Sequence, residues 1–174
     1  MSEQLDDSIV RVCDAVMSAT TSHFLVSLKI KFLSSSTDFG EINELKLRNL
    51  TAVIGMSGPV SALVAFSFDL ALADHLLAIE TEGLDIPDDE KDFYRLDMIA
   101  ETVNIVLGHC TKSLAKLGYP VGLSPPIVLE DAGKLRRPKG AVFSSISHNT
   151  SYGVLDVIFI TPPDLYGENL SISE

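Results

Sequence analysis

Apolar and polar positions alternate along this chain with two different periods. Residues 3–19 place Leu5, Ile9, Val12 and Val16 three or four apart, which predicts a first helix. Residues 23–33 alternate instead, with Phe24, Val26, Leu28, Ile30 and Phe32 on one side and Lys29 and Lys31 on the other. That period of two predicts a half-buried strand. The polar, glycine-broken stretch 34–44 predicts a loop. Two strands follow at 50–56 and 60–68, joined by a turn built on Ser57, Gly58 and Pro59. A short helix is predicted from about Asp69 within 67–79, then an acidic loop at 83–93 in which Asp88 or Asp89 can cap the next helix.

That helix runs from about residue 90 to Leu117 and ends at Gly118, with Pro120 beyond it. Residues 122–130 read as an extended entry into a strand, and 139–148 and 152–160 as two strands joined by a hairpin. Pro162 and Pro163 stop the last strand, and the tail after about residue 163 is expected to be loose. A helix followed by three strands thus occurs twice. Hairpin-linked strands with grouped helices predict an α+β fold with a largely antiparallel sheet. The 174-residue length favours a single domain over 1–174.

Composition narrows the function classes. With 46% apolar and 21% charged residues the chain is globular in character. A net charge of −11, with no basic run beyond residues 134–139, argues against nucleic acid. That short KLRRPK segment reads as a solvated loop. The acidic N-terminal decapeptide does not resemble a signal peptide, and no apolar run of about 18 residues stands out as a membrane span. Cys13 and Cys110 are far apart and suit buried thiols in a reducing cytoplasm. Phosphate-cradling glycine motifs are absent, and His23, His75, His109 and His148 lack metal-ligand spacing, so no metal site of its own is expected.

The long helix holds the candidate chemistry. At about 100° per residue, Leu96, Ile99, Val103, Val106, Leu107, Cys110, Leu114 and Leu117 form one stripe, the core face. Asp97, Glu101, Asn104 and Gly108 fall nearly opposite, within about 60° of one another. Thr111 and Ala115 continue that side. Glu and Asn on a solvated face are ordinary in themselves. A mid-helix Asn and a Gly, which costs about 1 kcal/mol relative to Ala, are less so. A low face bearing one carboxylate and one amide suits close approach by another macromolecule. Met98 and Ile105, beside it, supply apolar contacts for that partner.

The E-x-x-N of Glu101-Thr102-Val103-Asn104, followed by Gly108, resembles the CheX group of the CheC/CheX/FliY chemotaxis phosphatases. VIGMSGPVSALVAFSF at 53–68 is similar to the family's strand–turn–strand, and LAKLGYPVGLSPPIVL at 114–129 to its helix end and following segment. The likeness spans residues 50 to 130. Thr102-Val103 departs from the hydrophobic-then-glycine pair usual inside the motif. Only one motif is present, which points to CheX rather than CheC.

The resemblance implies a CheC-like fold and hydrolysis of the aspartyl phosphate on a CheY-like response regulator in the cytoplasm. It implies that Asn104 positions the attacking water and Glu101 anchors the receiver's lysine, with Asp97, Met98, Ile105 and Gly108 in the docking face. It implies no cofactor of the chain's own, Mg²⁺ in the partner receiver, and a homodimer. Three other readings stay open: a non-catalytic receiver-binding or flagellar-switch-like adaptor, a structural or oligomerisation domain, and an unrelated small-molecule enzyme with a pocket the sequence does not reveal.

Overall fold

A computed structural model of the chain describes residues 2–40, 43–137, 139 and 141–161. The expected loose tail lies outside these residues. Among the described residues three α-helices, α1 (Ser2–Ser22), α2 (Leu70–Glu80) and α3 (Lys91–Lys116), accompany nine strands. The principal strands are β1 (Ser34–Gly40), β3 (Leu50–Ser57), β4 (Ala62–Phe68), β8 (Val142–Thr150) and β9 (Gly153–Thr161). Shorter ones are β2 (Glu44–Lys46), β5 (Gly122–Leu123), β6 (Ile127–Glu130) and β7 (Lys134–Arg136). The main sheet is antiparallel in the order β1-β8-β9-β4-β3-β5, with β6 also on β3. This is the α+β architecture the pattern predicts.

Paired residues of neighbouring strands share a face, so register decides what each face buries. Ile54, Val64, Phe66, Phe68, Val157 and Phe159 face the helices and form the main core with Val16, Ile99, Val103, Leu107 and Leu114. The opposite face carries Ala65, Phe143, Ile158 and Ile160. The β2–β7 ribbon contributes Leu45 and Leu135 to that second cluster. Both faces of β9 are therefore covered, and its burial is continuous rather than alternating.

Two expectations for the first fifty residues are corrected. Residues 23–33 contain no strand: α1 continues into a π turn, His23–Ser27, and the chain is then irregular to Leu33. The buried positions Val12, Val16, Thr20, Phe24 and Leu28 are each four apart. On an α-helix such a row drifts by about 40° per step. A wider π turn takes up that drift and keeps Phe24 and Leu28 on the core. Lys29 then leaves the helix at φ 59°, and the Ile30 N–H reaches back to the Phe24 carbonyl at 2.8 Å.

Residues 34–40, expected as a loop, form β1, which pairs with β8 from Ser34↔Asn149 to Gly40↔Phe143. The basic segment 134–139, expected as a solvated loop, supplies β7, whose Lys134 pairs with Glu44 at 2.5 Å. The helix formed by residues 7–27 is, by length and composition, apolar enough to cross a membrane, contrary to the reading of the sequence. Its Ile9, Val12, Val16 and Phe24 pack into the core.

The sheet is tied together by a polar cluster. Arg48 donates from Nε to Asp156 at 2.6 Å and from Nη1 to Asp69 at 2.8 Å. Ser147 donates to Asp156 at 2.5 Å, and the second oxygen of Asp69 accepts the Val154 N–H at 2.8 Å. Asp69, the residue before α2, thus holds β9 instead of capping its own helix.

His148 is buried on β8, stacked on Phe32 at 4.1 Å with Nδ1 2.7 Å from Ser35 Oγ, while Nε2 has no partner among the described residues. Burial holds its imidazole below the ordinary 6.5, against the pull of Asp156. The unfolded chain therefore takes up the proton first. Stability is complete above about pH 6.5 and falls as pH drops toward the lowered folded value. Urea midpoints at pH 7.5 and 5.5 should show this loss, and His148→Phe should reduce it. An unchanged pH difference in the variant would assign the acid sensitivity elsewhere.

Candidate functional site

The site is built on α3. Ile99, Val103, Val106, Leu107, Cys110 and Leu114 lie at 0–1% exposure and fix its rotation against the sheet. Each such side chain contributes about 1.5–3 kcal/mol of burial. Leu96 is half-buried, and Leu117 is 60% exposed because it stands past the last turn, at the C-cap. Gly118 follows at φ 84°, with its N–H on the Ala115 carbonyl and that of Tyr119 on Leu114, which closes the helix as expected. At the other end the residue before the helix is Glu90 and gives no side-chain cap. Asp88 instead pairs with Lys91 at 2.6 Å.

With that rotation fixed, Asp97, Glu101 and Asn104 are exposed, and Ile105 and Gly108 are half-buried. Among the described residues the side chains of Glu101 and Asn104 have no partner. A Cβ added to Gly108 would meet nothing within 4 Å. Packing inside this chain therefore does not require glycine there, and the open space above it is left for something else.

Met98 corrects the expectation of an outward contact. It is 7% exposed, turned inward beside the core stripe, and Thr102 donates to its sulfur at 3.6 Å. Thr102 is itself 6% exposed, so the unusual residue inside the motif serves packing. Cys13 and Cys110 are held by burial with thiol pKa values of about 12 and about 11, so neither is a nucleophile near neutral pH. Among the described residues no three His, Cys, Asp or Glu side chains gather as a metal site.

A groove of about 610 Å³ runs beside the motif. One wall is α3, through Tyr94, Asp97, Glu101 and Ile105. The other is the connection from α2 to α3, through Leu84, Asp85, Ile86 and Pro87. His23 lies at its base. The structure thus brings Asp97, Glu101 and Ile105 together along the groove, with Met98 beneath, while Asn104 and Gly108 lie outside it on the adjoining strip of the helix. Residues of the far wall and His23 were missed in the sequence. An acidic loop with exposed Leu84 is a weak signal, and His23 appeared to begin a strand.

The antiparallel sheet backed by a long helix is a CheC-like fold. A Shewanella sp. PV-4 protein of the CheC-like superfamily has this fold, with TM-score 0.70 at 19% identity over 87% of this chain and 97% of that one. The sequence model for the chemotaxis phosphatase CheX matches residues 50–147, more than half of the chain, and the chain belongs to that family. CheX of Desulfovibrio desulfuricans superposes with TM-score 0.73 at 19% identity, covering 85% of this chain and 97% of that one. CheX of Borrelia burgdorferi, solved in complex with CheY, BeF₃ and Mg²⁺, gives 0.66 at 17%, covering 86% and 96%. No protein of curated function matches the sequence.

Proposed function

We propose that this chain hydrolyses the aspartyl phosphate of a CheY-like response regulator. The observation that carries the reading is the pair Glu101 and Asn104, displayed one helical turn apart on a rigid face and unpartnered within the described chain. An aspartyl phosphate is a mixed anhydride and already hydrolyses unaided. Acceleration then requires a water held in line with phosphorus more than it requires a covalent nucleophile. The Asn104 amide both donates and accepts, so it orients that water without being a strong base. Glu101 takes the receiver's active-site lysine and sets the docking register. Mg²⁺ arrives with the receiver, and the chain needs no cofactor of its own. Asp97, Ile105 and Gly108 complete the docking face, and a cytoplasmic site of action follows from the partner.

The test is phosphate loss from a panel of phosphorylated receivers with and without this protein. Acceleration supports the phosphatase. Stable binding without acceleration supports an adaptor that holds phosphorylated receivers. No effect on any receiver removes the reading.

A homodimer is part of the proposal. Among the described residues β1 and β6 leave open edges on the main sheet, and β6 exposes Ile127 and Leu129. Sedimentation should give twice the 18.8 kDa chain mass; a monomer at tens of micromolar would refute it.

A further inference from the structure

The groove beside Glu101 has a chemistry of its own. Glu80, Asp85 and Glu90 join Asp97 and Glu101 along it, and no lysine or arginine lines it. None of the five forms an ion pair among the described residues. Lys91 pairs with Asp88 at 2.6 Å and feels Asp85 only at longer range, and Arg95 pairs with Asp74 at 2.7 Å and Asp92 at 2.5 Å. Between the carboxylates run Leu77, Ile105 and the ring of Tyr94. The base holds His23, only 6% exposed, which feels the Glu80 carboxylate and whose Nδ1 has no hydrogen-bond partner among the described residues. A buried polar atom left in this state has a cost unless something satisfies it. Apolar walls with a carboxylate rim fit a cation on an aliphatic stem.

We propose that this groove is a second docking site for the receiver, taking one of its lysine or arginine side chains distinct from the lysine assigned to Glu101. The inference rests on the proposed function, because the groove and the Glu101–Asn104 face share Glu101 and would be covered by one partner. It deepens that reading by locating selectivity in the α2–α3 connection, away from the residues that act on phosphorus. A receiver with a basic side chain at the matching distance is preferred, and one with an acidic residue there is repelled.

The test uses the full chain and a receiver loaded with beryllofluoride and Mg²⁺, a stable stand-in for its phosphorylated form. The triple variant Glu80→Gln, Asp85→Asn, Glu90→Gln removes charge from exposed positions while keeping shape. A second triple variant, Asp14→Asn, Glu82→Gln, Asp89→Asn, changes net charge equally at exposed positions outside the groove lining and off the β1 and β6 edges. The groove variant should bind about tenfold more weakly, with a flatter salt dependence and an unchanged kcat. Equal weakening in both triples would overturn the inference, since bulk charge would explain it. Unchanged binding in the groove variant, with the wild type still accelerating phosphate loss, would overturn the groove alone. If the wild type neither binds nor dephosphorylates any receiver, the proposed function falls and the groove falls with it.

Discussion

Asn104→Ala should lose phosphatase acceleration by about 10²-fold while binding a phosphorylated receiver as tightly as the wild type. Three features make that result readable. Asn104 is exposed and has no side-chain partner among the described residues, so truncation leaves no orphaned group. Alanine is the better helix former, so the fold gains a few tenths of a kcal/mol. The flanking core positions, Val103 and Val106, are untouched. The loss should fall on kcat alone, as expected for a group that orients water in the transition state. Glu101→Ala should differ, raising KM and lowering kcat together, because a docking anchor also sets register. Full activity in Asn104→Ala would remove the water-positioning role. Equal loss of binding in both variants would make Asn104 a docking residue.

The largest structural effect is expected at Arg48. Arg48→Met should destabilise the fold by about 3 kcal/mol, a large part of the 5–15 kcal/mol typical of a domain. Asp156 is 8% exposed and would keep only Ser147 as its donor. Asp69 would lose one of its two ties. Arg48 itself is over a quarter exposed, so solvent relieves part of the loss at that end. Urea denaturation reads the change. The double variant Arg48→Met, Asp156→Leu should regain most of it, since replacing both charges removes the uncompensated one. A single-variant loss under about 1 kcal/mol would show that water reaches Asp156 freely.

Much of this architecture was legible where one period dominates. The α3 stripe, its end at Gly118, and the β3–β4 and β8–β9 hairpins all follow from patterning and turn residues. Failures occur where two readings share a spacing or where patterning is mute. Phe24 and Leu28 satisfy a period of two and a period of four, and only the preceding Val12, Val16 and Thr20 decide between them. Residues 34–38 of β1 are exposed throughout, so an edge strand of Ser, Thr and Asp carries no alternation to detect. Met98 sits at the margin of the stripe, where 100° steps cannot settle which way a long side chain turns. Glu101 and Asn104 were visible because a helix alone places them. The groove required the α2–α3 connection to fold back on α3, and no local pattern encodes that return.

The division of α3 into a buried stripe and an unpartnered face carries a consequence for how such chains diversify. The residues assigned to hydrolysis have no structural duty, and those with structural duty are not assigned to hydrolysis. Replacement of Asn104 alone would leave a chain at least as stable to heat and urea, with the docking anchor Glu101 still in place. Selection for solubility or assembly would not notice the change. On the proposed reading, a catalyst built this way would become a receiver-holding scaffold by one substitution at Asn104, without passing through an unstable fold.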